Sequence, residues 1–168
     1  MKGKTIRLAK LPSKVRRLFP HPLPIRNVGY WPDNWHNEER CDPKSVNFVL
    51  LLSSDSAYVQ KVVDNKRFSF RPPFFSLTKP GETIQYTTPV PWEELYFSYD
   101  AQLAPVFRHH GFELGTQAEI TITPRIAHII EEIKQLCEGV HVPGNADRLD
   151  RAGEALIVEC TLNPATEQ

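Results

Sequence analysis

The stretch Phe74-Phe75-Ser76-Leu77-Thr78-Lys79-Pro80-Gly81-Glu82-Thr83-Ile84-Gln85-Tyr86, followed by Trp92-Glu93-Glu94-Leu95-Tyr96-Phe97-Ser98-Tyr99, decides the fold. Phe74 to Thr78, Glu82 to Thr87 and Trp92 to Tyr99 are short and rich in aromatic and β-branched residues, the composition of strands. Lys79-Pro80-Gly81 between the first two is a tight turn, with proline fixing φ and glycine free to take a positive φ. Pro89 and Pro91 mark a loop before the third. On that last segment Glu94, Tyr96 and Ser98 share one face and Leu95, Phe97 and Tyr99 the other. One face is expected to look into a barrel and the other to pack outside it.

The same pattern extends towards the N-terminus. Val46 to Leu52 is almost wholly apolar, as a strand covered on both faces would be, and Ala57 to Val63 is rich in β-branched and aromatic residues. Asp64-Asn65 signals a hairpin before Arg67 to Phe70, which Pro72-Pro73 ends. Ile25 to Trp31 reads as a first strand, and Pro32 to Lys44 as a polar, turn-rich connection. Pro12, Pro20, Pro22 and Pro24 argue for an irregular arm over the first residues. Short strands with turn signals between them predict an antiparallel, cupin-like jelly-roll barrel, and nothing alternates with helices as a doubly wound parallel sheet requires.

The period changes in the last third. Thr123-Pro124 is a helix start, and Ile126, Ile129, Ile130, Ile133, Leu136 and Cys137 then recur at helical spacing. After Pro143-Gly144, Asn145 is placed to cap a second helix with Leu149, Ala152, Gly153, Leu156, Ile157 and Cys160 on its apolar stripe, stopped by Asn163-Pro164. The two form a helical hairpin. A short helix is expected within Asp100 to Gly111. The predicted organisation is an arm over 1–24, a barrel over 25–115, the hairpin over 116–163 and a linker over 164–168.

Composition narrows the function. Lys plus Arg and Asp plus Glu are 20 each in 168 residues, so the chain lacks the basic excess of a protein that grips phosphate backbones. The cluster Lys2, Lys4, Arg7, Lys10, Lys14, Arg16 and Arg17 is read as a solvated tail. Three cysteines without a CxxC pair favour a reducing cytoplasm over a disulfide framework or zinc cluster. The opening residues have no apolar leader and the longest apolar run, Phe48 to Leu52, is too short for a membrane span, so a cytoplasmic protein with no membrane partner is expected. A metal-dependent barrel enzyme needs histidines converging inside, yet Val46 to Tyr99 contains none. His109-His110-Gly111 suits a helix end, and Cys137 and Cys160 sit on apolar stripes. No catalytic residue, metal ligand or cofactor is therefore assigned.

Taken together, Thr78-Lys79-Pro80-Gly81-Glu82, Tyr86 and Trp92-Glu93-Glu94-Leu95-Tyr96-Phe97 resemble the core of the N-terminal domain of AraC-type transcription regulators. Asp147-Arg148-Leu149-Asp150 leading into Ala155-Leu156-Ile157-Val158-Glu159 is similar to that family's closing helices, and the resemblance runs from about residue 25 to 162. It implies a barrel that binds a small effector such as a sugar, helices that pair two subunits, and DNA contact only through a following helix-turn-helix domain that this chain does not contain. It also implies that Tyr86 points into the barrel. Ile84 and Glu94 stand where the arabinose-binding member has a histidine and a stacking tryptophan, so that sugar's site is not reproduced.

Candidate ligand-binding residues are Tyr58, Arg67, Tyr86, Trp92, Glu94 and Tyr96, aromatic walls with a few polar anchors. By the same resemblance Trp31, Trp35 and His36 are candidates for a lid, and Ile126, Ile130, Ile133, Leu149, Leu156 and Ile157 for a dimer interface. The competing expectation from another class is a cupin-fold enzyme such as a sugar isomerase or dioxygenase.

Overall fold

The computed structural model describes residues 7–10 and 15–166, so Lys2, Lys4 and Lys14 of the basic cluster lie outside the described residues. Among the described residues ten strands form two antiparallel sheets: β1 Arg7–Lys10, β2 Asn27–Asn34, β3 Arg40–Cys41, β4 Ser45–Ser54, β5 Val59–Val63, β6 Lys66–Phe70, β7 Phe74–Leu77, β8 Thr83–Tyr86, β9 Trp92–Asp100 and β10 Gln117–Glu119. A six-stranded sheet has the order β1-β2-β9-β4-β7-β10, and a four-stranded sheet, β3-β8-β5-β6, faces it. A 3-10 turn over Ala101–Leu103 leads into α1, Ala104–His109, and the chain closes with α2, Pro124–Cys137, and α3, Asn145–Leu162. This is a cupin-like jelly roll with C-terminal helices, as the strand and helix periods predicted.

Turn chemistry sets the hairpins. Asp64 and Asn65 both adopt positive φ, 47° and 65°, the backbone a two-residue hairpin with the right twist demands. Gly81 at φ 84° completes the Lys79-Pro80-Gly81 turn. Thr123 caps α2, its Oγ1 accepting the Ile126 N–H at 3.2 Å. Asn145 does not cap α3: Gly144 holds that position at φ 87°, and the Asn145 amide instead donates to the Gly139 carbonyl at 2.9 Å.

The six-stranded sheet carries two different faces. Val46, Phe48 and Leu50 of β4 share one with Leu95, Phe97 and Tyr99 of β9, and Phe48 stacks on Phe97 with 4.5 Å between ring centroids. That face meets Ile126, Ile130 and Ile133 of α2 and Leu149, Leu156 and Ile157 of α3 in one continuous core. Gly153 lets α3 approach, because a Cβ there would stand 2.6 Å from Ile25 Cδ1 and 3.1 Å from the Tyr99 hydroxyl. The other face, with Asn47, Val49 and Leu51 of β4, looks towards the four-stranded sheet, where Leu51, Val59, Phe74, Tyr86 and Trp92 make a second, smaller core.

The structure departs from several of the sequence expectations. The six helix residues assigned to a dimer interface are buried within one chain, since an amphipathic stripe needs a partner surface and the sheet supplies it. The N-terminal arm is not wholly irregular, because β1 pairs antiparallel with β2. Nor is Arg17 a solvated charge: its guanidinium is within 2.6 Å of the fully buried Asp150 carboxylate. Asp150 also accepts the Ile25 N–H at 2.8 Å, and Asp147 accepts those of Leu18 and Phe19 at 3.1 and 2.5 Å. His21 and Glu154 meet at 2.6 Å. Positions 147, 150 and 154 lie along one side of α3, so residues 17–25 are strapped to that helix by polar contacts. The sheet also extends past the expected boundary through β10, and Pro164 and Ala165 are tied back to Ile120 and Glu119 instead of forming a free linker. No helix among the described residues is long and apolar enough to cross a membrane.

Asp150→Ala takes the carboxylate partner from Arg17, which keeps only its 2.8 Å hydrogen bond to the Ile25 carbonyl, and leaves the Ile25 N–H without its acceptor. The expected loss of stability in urea melts is about 3–5 kcal/mol; a loss below about 1 kcal/mol would show the strap to be incidental to folding.

Candidate functional site

Between the sheets lies a cavity of about 350 Å³, lined among others by Trp31, Asn34, Asn47, Tyr86, Glu94 and Tyr96. Its inner wall follows from strand alternation. Glu94 and Tyr96 point inwards two residues apart on β9, Trp31 stands directly across from Glu94 on β2, and Leu51 across from it on β4. Tyr86 comes from β8 of the facing sheet. Around the opening stand Arg40, Asp42, Lys79 and Glu82, a rim of mixed charge.

Two local irregularities shape the wall. Both neighbours of β9 shift register at its N-terminal end, β2 between Trp31 and Asn34 and β4 between Leu51 and Ser53. Such shifts re-aim side chains; here the Asn34 amide reaches Glu94 Oε2 at 2.5 Å. Gly29 lies opposite Tyr96, and a Cβ on it would fall 2.4 Å from the ring, so glycine is what lets that ring lie against β2.

The buried groups titrate away from their usual ranges. Burial pushes the Glu94 carboxyl up to about 7, against the Asn34 hydrogen bond, the neighbouring Trp92 indole and the more distant charges of Arg40 and Lys61. The Trp92 indole N–H is near Glu94 but outside hydrogen-bond geometry. Lys61, only 2% exposed, is pulled down to about 8 by desolvation, partly offset by Glu82 and Glu94. Its ammonium donates to Ser76 Oγ at 2.7 Å and Gln117 Oε1 at 3.2 Å and sits 5.7 Å from the Tyr86 ring centroid. Desolvation, helped by Arg40, lowers His36 to about 4, and its Nδ1 is buried without a hydrogen-bond partner. The His36 ring packs edge-on against Tyr86 and Trp92 at 5.4 and 5.5 Å.

Of the residues the sequence singled out, Tyr86, Glu94 and Tyr96 line the cavity together. Trp92 is buried behind it, 5.1 Å from the Tyr86 ring centroid. Tyr58 and Arg67 do not reach it: Tyr58 is exposed and holds Arg71 at 3.0 Å, and Arg67 projects from the outer side of β6. Trp31 and His36 form wall rather than lid, and Trp35 is half exposed. The sequence reading missed Asn34, Asn47, Arg40 and Lys61. Lys61 had a signal, because Val59 and Val63 flank it at the spacing of one strand face. Asn34 had none, since its aim comes from the register shift.

The donor set for a bound metal is not assembled at this cavity. His36 is its lining imidazole, and among the described residues no three of His, Cys, Asp and Glu converge as a metal site.

A likeness to a solved structure over nearly the whole chain supports the fold. The chain is similar to the AraC-like transcriptional activator CuxR at TM-score 0.53 and 13% identity, over 97% of this chain and 64% of that one. It is also similar to a putative ethanolamine utilization protein Q from Salmonella typhimurium, at TM-score 0.35 and 14% identity over 46% of this chain and 59% of that one. A cupin 2 conserved barrel domain protein from Salinispora arenicola matches at TM-score 0.37 and 16% identity, over 56% of this chain and 82% of that one. The chain thus spans less than two thirds of the length of the first two. No protein-family model matches it, and no curated protein matches it in sequence.

Glu94 has a folded-state pKa above its ordinary 4.5, so the folded chain binds more protons than the unfolded chain between about pH 4.5 and 7. Its contribution to stability is therefore present below pH 4.5 and lost as pH rises through 7. His36 works oppositely: its lowered pKa makes stability rise between about pH 4 and 6.5. The two oppose one another in the wild type, so the test is a difference. Glu94→Gln is expected to gain stability relative to wild type as pH rises from 4.5 to 7, on the order of 3 kcal/mol in denaturant melts. A difference independent of pH over that range would contradict the assignment.

Proposed function

We propose that this chain is the effector-sensing part of an AraC-like transcription regulator, one that binds a small molecule without transforming it. The observation that carries the reading is the cavity itself: about 350 Å³ between the two sheets, walled by Trp31, Tyr86 and Tyr96 and anchored by Asn34, Asn47 and Glu94. Apolar walls with a few convergent polar groups are the make-up of a small-molecule site, and this volume fits a ligand of sugar size. The likeness to an AraC-like activator over nearly the whole chain agrees with it.

The architecture also offers a route for a signal. β2 carries Trp31 and Asn34 at the cavity, and the segment leading into it is the strap held on α3 by Asp147 and Asp150. A ligand that fits one position of β2 better than another shifts the population of strap and helix arrangements by that difference in affinity, and by no more. DNA contact belongs, in this reading, to a separate helix-turn-helix domain. Two chains pair through a surface other than the apolar stripes of α2 and α3, which the chain's own sheet covers.

Thermal unfolding of the chain with a panel of sugars, polyols, amines and small acids tests the reading. A true effector at about a hundred times its Kd adds about 2.7 kcal/mol and raises the midpoint by about 5–10 °C. Trp31→Ala and Tyr96→Ala should abolish that shift while far-ultraviolet circular dichroism stays unchanged; a panel in which nothing stabilises the wild type overturns it. Light scattering on the same sample should give twice the 19.3 kDa chain mass, and a monomer at high concentration would remove pairing from the account.

A further inference from the structure

Among the described residues four charged side chains are buried: Lys61, Glu94, Asp147 and Asp150. Three have their partners. Lys61 rests on Ser76 and Gln117, Asp150 on Arg17 and the Ile25 N–H, and Asp147 on two backbone N–H groups. Glu94 differs. It is 6% exposed, it receives the Asn34 amide on Oε2, and no described cation comes within ion-pair distance of it. A carboxylate taken out of water without a cation is costly, and the cost is removed when a positive charge arrives.

Three aromatic residues share the cavity wall with it. Trp31 is its cross-strand neighbour on β2, Tyr96 lies two residues along β9, and Tyr86 faces it from the other sheet. The negative faces of such rings attract cations, most strongly once water is excluded. From this geometry we infer that the cavity takes a small organic cation, with a primary-amine or guanidinium head seated on the Glu94 carboxylate between Trp31, Tyr86 and Tyr96. The inference rests on the reading of the cavity as a ligand site and names the ligand's chemistry. A head with N–H donors is favoured over a quaternary ammonium because a carboxylate accepts several hydrogen bonds and Asn34 supplies one.

Other charges do not reverse this choice. Arg40 and Lys79 at the rim are exposed, and Asp42 and Glu82 stand beside them, so the opening has no net preference for an anion. Lys61 is a buried positive neighbour, but its ammonium is already spent on Ser76 and Gln117 and does not line the cavity. His36, with its lowered pKa, is neutral at pH 7 and adds no competing charge.

The test is calorimetry and thermal unfolding of the chain at pH 7 with putrescine, agmatine and ethanolamine, each against a neutral counterpart: 1,4-butanediol, 4-hydroxybutanamide and ethylene glycol. At least one amine should bind, its neutral counterpart should bind tenfold or more weakly, and Glu94→Gln should remove that difference. Titrations in buffers of different ionisation enthalpy should also show about half a proton released per cation bound, as Glu94 is driven to its charged form. If neutral polyols or small acids stabilise the protein and no amine does better than its counterpart, the cation assignment fails while the ligand site stands. If no compound of any class binds, both fail.

Discussion

The packing of α2 and α3 on the outer face of the six-stranded sheet is the constraint on which the rest depends. Val46, Phe48 and Leu50 on β4 and Leu95, Phe97 and Tyr99 on β9 present a wide apolar face, and the isoleucine and leucine stripes of the helices cover it. In many two-layer β proteins the space between the sheets has to be the core. Here most of the burial is on the far side of one sheet, and the space between the sheets is free to be partly hollow and polar. A cavity with an uncompensated carboxyl can be carried because stability is secured elsewhere.

That division explains the polar strap as well. Tyr99 and Gly153 bring α3 close to the sheet, and residues 17–25 cross the helix at that place. Backbone donors at Leu18, Phe19 and Ile25 would be left without acceptors there, and Asp147 and Asp150 supply them. The strap thus links the segment before β2 to the helical layer, while the other end of β2 walls the cavity. Cavity and helices are physically contiguous through one strand.

Much of the architecture could be read from the chain because its signals are local. Turn residues at Asp64-Asn65 and Pro80-Gly81 and the change from a two-residue to a helical period at Thr123 are properties of neighbouring residues. What was missed is non-local. β3 and β10 are two and three residues long, too short to show any period, and exist because an edge was available to pair with. The helix stripes announced burial but not what would cover them, so a second subunit was expected where the sheet lies. Within the site, alternation on β9 makes Glu94 and Tyr96 legible, whereas the chemistry of Arg67 and Tyr58 does not say which side of the sheet they take. Lys61 is the opposite case, a charge on an inward face whose chemistry argues for solvent.

Helices seal the outer face of one sheet, and in the proposed function its inner face receives a small molecule. Amide chemical-shift mapping during titration with a mixture of small amines and polyols tests it most directly. The account predicts shifts concentrated at Trp31, Asn34, Asn47, Tyr86 and Glu94, fading through β2 into residues 17–25. Shifts confined to the exposed sides of α2 and α3, with the inner face of β9 silent, would contradict it.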